Sequence, residues 1–79
     1  MSEPLYVGLD AGSSATKCVI VDRDGSLVGK HVVASGFDFS EAAQEALARA
    51  LLEAEGEKED IGYCVATGYG RDRIAMADR

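Results

Sequence analysis

Short apolar runs separated by small or polar residues fill the first 34 positions of the chain. Apolar runs bounded by turn residues are typical of β-strands, so the first two runs predict a hairpin whose loop contains Gly12. The segment Asp22-Arg23-Asp24-Gly25 predicts a second tight turn. Residues 26–34 then form a third apolar-rich run, in which Gly29 is typical of a bulge. The pattern predicts a three-stranded antiparallel meander.

The spacing of apolar residues changes at Phe39, from the short runs of strands to the repeat of a helix. Residues 39–55 are dense in Ala, Leu and Glu, which are strong helix formers. Their apolar positions fall on one helical stripe, made of Ala43, Leu47, Ala50, Leu51 and Ala54. Asp38 followed by Glu41 predicts a capping box, with Ser40 as the alternative N-cap. Gly56 fits the position just past the helix end.

A fourth strand is predicted over residues 61–67, with Tyr63, Val65 and Ile61 on one face. A strand that follows a crossover helix usually lies parallel to an earlier strand. The order β-β-β-α-β therefore predicts an α/β fold whose mixed sheet has at least one covered face. Residues 72–78 resemble the beginning of a further helix.

Composition narrows the classes of function. The 79 residues allow one domain, and the net charge of -6 argues against nucleic-acid or anionic-membrane partners. No apolar run approaches the roughly 20 residues of a membrane span, and the first four residues lack secretory-signal features, so we expect a cytoplasmic protein. Without a CxxC motif or a His/Cys cluster, Cys18 and Cys64 are interpreted as buried reduced thiols. We assign no catalytic role to His31.

The first hairpin carries the candidate chemistry. Asp10 ends the first strand and could supply an oxygen to Mg²⁺, directly or through water. The small residues that follow would let phosphate approach backbone N–H groups, and Lys17 adds a point charge. Three hydroxyls are candidate phosphate donors: those of Ser13, Ser14 and Thr16. The spacing does not match a P-loop or a dinucleotide fingerprint. An ordinary Gly-Ser hairpin with a solvated aspartate is the alternative at this point.

Two motifs carry a resemblance to known proteins. The first, which resembles the first phosphate loop of the actin/Hsp70/sugar-kinase superfamily, runs Gly8-x-Asp10-x-Gly12-Ser13-Ser14-x-Thr16-Lys17. The second runs Ala66-Thr67-Gly68-Tyr69-Gly70-Arg71. Residues 10–20, taken with this second motif, are similar to the BadF/BadG/BcrA/BcrD ATPase family, and the resemblance covers essentially the whole chain. That family includes activators of 2-hydroxyacyl-CoA dehydratases and ATP-binding subunits of benzoyl-CoA reductase.

The resemblance implies a ribonuclease-H-like (actin-like ATPase) fold that is duplicated in full-length members, with ATP bound between the halves. It implies that Asp10 serves Mg²⁺, that residues 12–14 hold phosphates and that Lys17 reaches the terminal ones. It also brings Gly68, Gly70 and Arg71 into the candidate site, although the two glycines could simply permit backbone turns. In the activators, ATP hydrolysis drives electron transfer from a [4Fe-4S] cluster, shared across a homodimer, to the dehydratase.

Length is where the chain departs from this family, whose members are several times longer. The second phosphate loop, the adenosine pocket and the cluster cysteines are not found in it, and neither Cys18 nor Cys64 matches a cluster ligand. The chain is therefore interpreted as an amino-terminal fragment, a truncated product or one piece of a split protein. We expect the 79 residues alone to be catalytically inactive. A small non-catalytic interaction module and the start of a sugar or metabolite kinase are the alternatives, the second disfavoured by the motif at residues 66–71.

Overall fold

The computed structural model describes residues 4–36, 38–68, 70 and 78 of the chain. These form β1 (Leu5–Ala11), β2 (Ala15–Val21), β3 (Leu27–Ala34), α1 (Phe39–Ala54), a 3₁₀ turn (Lys58–Asp60) and β4 (Ile61–Thr67). The predicted order β-β-β-α-β is confirmed. The further helix predicted over residues 72–78 lies outside the described residues, apart from Asp78.

All four strands form one mixed sheet, in the order β3-β2-β1-β4. Strand β1 is antiparallel to β2 and parallel to β4, as the crossover through α1 predicts. Because β1 and β4 run in the same direction, their carboxyl ends meet at the edge of the sheet that also carries the β1–β2 loop.

The second hairpin is closed by the predicted Asp-Gly turn. The Gly25 N–H donates to the Asp22 carbonyl over 3.0 Å, and Gly25 has a φ of 85°. The Asp22 carboxylate accepts hydrogen bonds from the backbone N–H groups of Asp24 and Ser26. A short polar side chain that bonds its own backbone is typical of such turns.

Strand β3 also contains the predicted bulge. The β2–β3 register shifts where Gly29 pairs with Ile20 and Leu27 pairs with Val21. A Cβ on Gly29 would overlap the Ala50 carbonyl oxygen, so the glycine lets α1 approach the sheet closely.

The core lies between the helix and one face of the sheet. It is built from strand residues and from the predicted alanine-rich stripe of α1: Val7, Leu9, Ala11, Cys18, Ile20, Ala43, Ala46, Leu47, Ala50, Leu51, Cys64 and Ala66. Cys18 and Cys64 are both buried and free, which confirms their predicted role as core thiols. Ala54 is only partly buried at the end of the stripe.

Both ends of α1 are capped by local backbone geometry. The Asp38 carboxylate accepts from the N–H groups of Ser40 and Glu41, so Asp38 is the N-cap and Ser40 lies in the first turn. At the other end, the Gly56 N–H donates to the Leu51 carbonyl in a Schellman arrangement. The left-handed residue there is Glu55, with a φ of 56°, one position before the glycine that the sequence favoured.

The opposite face of the sheet carries exposed apolar side chains within the described part of the chain. They are Tyr6, Leu27, Val32, Tyr63 and Val65. We call this side of the sheet, away from α1, the open face. Ile61 packs against the core instead of joining Tyr63 and Val65, because the β1–β4 register shifts between Leu5 and Tyr6. Among the described helices, none combines the length and apolarity that crossing a membrane requires.

Candidate functional site

Asp10 lies at the carboxyl end of β1, between two strands. Val7, Leu9 and Ala11 are buried against the helix, so alternation along the strand places the exposed Asp10 on the open face. Its cross-strand partner on β2 is Lys17, and its partner on β4 is Thr67. The structure therefore brings the predicted carboxylate and ammonium groups to neighbouring positions on one face.

A shallow cavity of about 180 Å³ opens beside these residues. It is lined by Gly8, Leu9, Asp10, Lys17, Val19, Val65 and Thr67. A Cβ on Gly8 would lie 3.2 Å from Val19 Cγ2, so the missing side chain contributes space to this cavity. The motif residue Gly8 thus keeps the surface beside Asp10 concave.

The segment after β4 passes very close to Asp10. Gly68 has a φ of 94°, and a Cβ there would lie 2.6 Å from Asp10 Oδ1 and 2.8 Å from the Ala11 carbonyl oxygen. The Gly70 N–H donates to the same Ala11 oxygen over 2.9 Å. Gly68 and Gly70 therefore join the group around Asp10, whereas Arg71 lies outside the described residues.

The β1–β2 loop presents small residues to solvent. The Gly12 N–H donates to the Ala15 carbonyl over 3.0 Å, and a Cβ on Gly12 would lie 2.9 Å from that oxygen. Ser13 and Ser14 are exposed at the tip. We call residues 12–14 the phosphate loop. Because the Gly12 N–H is bonded to Ala15, the candidate donors to a phosphate group are the backbone N–H groups of Ser13 and Ser14, whose small side chains let the phosphate approach.

Thr16 lies apart from this group. It is fully buried on the helix side of β2, and its Oγ1 lies 2.9 Å from Ser35 Oγ. The Ser35 hydroxyl donates to the Gly12 carbonyl over 2.6 Å, and the Ser35 N–H donates to the Ser14 carbonyl over 3.1 Å. Thr16 thus reaches the phosphate loop only through Ser35.

Ser35 is a site residue that the sequence reasoning missed. It follows the last residue of β3, and antiparallel pairing of β3 with β2 returns it to the β1–β2 loop. A hydroxyl placed just beyond the predicted third strand is the signal that could have suggested it.

The two cysteines do not fit an iron–sulfur cluster. Burial raises the pKa of Cys18 to about 12, with a smaller contribution from Cys64. Burial also raises the pKa of Cys64, and so does the nearby Asp78 carboxylate, which accepts from the Cys64 N–H over 2.8 Å. Cluster ligands are thiolates, and the burial of both side chains in the core opposes that charged form.

The donor set does fit a magnesium–phosphate complex. No group of three or more His, Cys, Asp or Glu side chains is poised to hold a metal in the described part of the chain. Mg²⁺ needs no such group, since it commonly binds one or two carboxylates, substrate phosphates and several waters. Asp10 can supply the carboxylate, and Lys17 and the loop N–H groups can bind the phosphate oxygens.

A larger cavity, of about 600 Å³, lies between α1 and β4 on the helix side of the sheet. Its lining residues are Ser40, Gln44, Leu47, Lys58, Ile61, Cys64 and Asp78. It lies on the other face from Asp10 and Lys17, so we assign it no part in the phosphate site.

Comparison with known proteins gives a consistent result. The sequence profile of the BadF/BadG/BcrA/BcrD ATPase family matches residues 7–78. The (R)-2-hydroxyglutaryl-CoA dehydratase activating ATPase of Acidaminococcus fermentans is 38% identical over 74 residues, and the activator of lactoyl-CoA dehydratase of Anaerotignum propionicum is 41% identical over 73. Each alignment covers 92% of this chain but only 28% of the relative.

Solved structures match the fold as well. Component A of the Acidaminococcus fermentans (R)-2-hydroxyglutaryl-CoA dehydratase superposes with a TM-score of 0.78 and 36% identity, over 89% of this chain and 27% of that one. The activator of the 2-hydroxyisocaproyl-CoA dehydratase from Clostridium difficile, solved with bound ADPNP, superposes with a TM-score of 0.83 and 32% identity. That match covers 94% of this chain and 27% of the activator. The sheet and helix described above therefore have the actin-like ATPase fold that the sequence predicts.

Proposed function

The chain belongs to the BadF/BadG/BcrA/BcrD ATPase family, and on that premise we propose that its first hairpin binds the phosphate groups of Mg·ATP. One observation carries the proposal: Asp10, Lys17 and Gly68 meet where the parallel strands β1 and β4 end. In α/β sheets, ligands bind outside the carboxyl ends of the strands. The ADPNP in the Clostridium difficile activator supports a nucleotide as the ligand.

Each residue of this group has a distinct role in the proposal. Asp10 binds Mg²⁺ directly or through a water molecule, and Lys17 neutralises charge on the terminal phosphates. The phosphate loop donates N–H groups, and the hydroxyls of Ser13 and Ser14, to the phosphate oxygens. ATP, when bound, supplies the free energy of its hydrolysis.

The segment after β4 completes the proposed site. The absence of a side chain on Gly68 leaves the Asp10 carboxylate accessible. The Gly70 N–H holds the segment in place by its hydrogen bond to the Ala11 carbonyl. Arg71 follows directly in the chain, and we include it as a further proposed phosphate contact.

We extend the proposal to the role of the protein that contains this hairpin. The chain spans 28% of the length of the two curated relatives named above, one an activating ATPase of (R)-2-hydroxyglutaryl-CoA dehydratase and the other an activator of lactoyl-CoA dehydratase. We propose that the whole protein activates a 2-hydroxyacyl-CoA dehydratase, or a benzoyl-CoA reductase type of enzyme, by ATP-driven electron transfer. The relatives' names support a CoA-ester dehydratase as the enzyme that is activated. We assign Cys18 and Cys64 no part in that transfer, because both are packed as free thiols in the core.

Titration of the isotope-labelled chain with Mg·ATP tests the site directly. We expect the amide resonances of Gly12, Ser13, Ser14 and Lys17 to shift first and to require Mg²⁺. Changing Asp10 to Asn should weaken binding by roughly 10-fold or more, since a hydrogen bond to a charged group is worth about 1.5–3 kcal/mol. Lys17→Met should have a comparable effect.

Two matched variants control for the loss of charge alone. Asp24→Asn removes an exposed carboxylate from the turn at the opposite end of β2, and Lys30→Met removes an exposed ammonium from β3. Neither should change the affinity by more than about twofold. Shifts confined to residues outside the phosphate loop, or equal losses in Lys17→Met and Lys30→Met, would contradict the proposed site.

A further inference from the structure

Two buried hydroxyl groups support the phosphate loop from the helix side of the sheet. Thr16 is fully buried and Ser35 is 3% exposed, and their hydroxyl oxygens lie 2.9 Å apart. The Ser35 hydroxyl has one hydrogen, which it donates to the Gly12 carbonyl over 2.6 Å. The Thr16 hydroxyl therefore donates to Ser35. This gives a directed relay, Thr16 to Ser35 to Gly12, which we call the hydroxyl relay.

The relay determines which way a peptide of the loop faces. The described chain has no cis peptide bond, so the Ser13 N–H points opposite to the Gly12 carbonyl. That carbonyl is held on the helix side, where Thr16 is buried. The Ser13 N–H consequently points toward the open face, which carries Asp10 and Lys17.

A second bond from the same residue holds the other end of the loop. The Ser35 N–H donates to the Ser14 carbonyl over 3.1 Å. Ser35 therefore binds two of the three loop carbonyls, those of Gly12 and Ser14. Carbonyl oxygens repel phosphate oxygens, and holding them away from the ligand favours the N–H groups as the exposed surface.

We propose that Ser35 and Thr16 are positioning residues for phosphate binding: they touch no ligand but orient the phosphate loop so that its N–H donors share a face with Asp10 and Lys17. This inference rests on the proposed function. The plainer view is that the hydroxyls merely stabilise the hairpin. The two views differ in their consequences, because a stabilising role alone would leave the N–H direction and the affinity unchanged in a folded variant.

Four variants of the relay and two control variants separate these views. Ser35→Ala and Thr16→Val remove a hydroxyl, whereas Ser35→Thr and Thr16→Ser retain it. Ser26→Ala removes a serine from the turn that precedes β3, and Gly25→Ala destabilises the fold at a left-handed position (φ of 85°) in that same turn, at the other end of β3 from the loop. The readouts are the Mg·ATP dissociation constant and the Ser13 one-bond N–H residual dipolar coupling, which reports the direction of that bond.

We expect Ser35→Ala to weaken Mg·ATP binding by roughly 3- to 10-fold, the range of one neutral hydrogen bond, and to change the Ser13 coupling without nucleotide. Ser35→Thr should restore both values to within about twofold, because one hydrogen bond is retained. Thr16→Val should show a smaller change in the same direction. Ser26→Ala and Gly25→Ala should leave both readouts unchanged, because both changes lie at the opposite end of β3 from the loop.

An unchanged Ser13 coupling in folded Ser35→Ala would overturn the inference, whatever the nucleotide affinity. A loss of affinity that Gly25→Ala reproduces would overturn it as well, because general destabilisation would then explain the effect. If the unaltered chain fails to bind Mg·ATP, the proposed function fails, and the coupling still tests the orientation of the loop.

Discussion

Replacing Gly68 by Ala tests how closely the end of β4 must approach Asp10. The substitution adds one methyl group at a position with a φ of 94°, between the Asp10 carboxylate and the Ala11 backbone. Gly25 offers a matched control. Its φ is 85°, and a Cβ there would meet nothing within 4 Å.

The expected cost has two parts. The left-handed backbone costs an alanine about 1–2 kcal/mol, and this part applies to Gly25→Ala as well. At Gly68 the new Cβ would also lie 2.8 Å from the Ala11 carbonyl oxygen and 2.9 Å from its carbon, in a strand paired on both sides. Overpacking against such a backbone costs a further 1–3 kcal/mol or so. Gly68→Ala should therefore lose about 2–5 kcal/mol in all.

Urea unfolding of both variants measures the difference. We expect the midpoint to fall further for Gly68→Ala than for Gly25→Ala at an unchanged denaturant slope, by an amount equivalent to about 1–3 kcal/mol. In thermal melts, each 1 kcal/mol should lower the Tm by about 4–8 °C in a domain of this size. Equal losses in the two variants would refute the reasoning, because they would show that the approach to Ala11 costs nothing.

Three further predictions concern stability. Because burial raises the pKa of Cys18 from 9.0 to about 12, the folded chain should lose stability as the pH rises from 9 to 12, and Cys18→Ala should reduce that slope in urea titrations. Asp38→Ala should lower the free energy of unfolding by about 1 kcal/mol, and a Ser40→Ala change of similar size would contradict the N-cap assignment. Glu55→Gly should raise the free energy of unfolding by about 0.5–1 kcal/mol by relieving a left-handed backbone; a loss would contradict it.

The order of elements could be predicted from the sequence because each depends on local pattern. The Asp-Gly turn, the alanine-rich stripe of α1 and the crossover to a parallel β4 are all determined by residues close together in the chain. The end of α1 was less predictable. The sequence favours Gly56 as the left-handed residue after the helix. In the structure the helix ends at Ala54, and Glu55 has the left-handed conformation.

The candidate site, too, could be predicted only in part from the sequence. Strand alternation alone places Asp10 and Lys17 on one face of a hairpin, and it also places Thr16 on the opposite face. The closeness of Gly68 to Asp10 depends on the parallel register of β1 and β4, which no local pattern specifies. The contacts of Ser35 could not be predicted for a similar reason, because they depend on how β3 pairs with β2 around a bulge.

The hydroxyl relay has a consequence for the order in which the chain acquires its structure. Ser35 lies 23 positions after Gly12, on the far side of two strands and a turn. A newly made β1–β2 hairpin therefore lacks the bonds that orient the phosphate loop, even when both of its strands are paired. With the proposed phosphate site, the loop reaches its binding shape only after β3 has docked, so nucleotide affinity would report that the meander is complete.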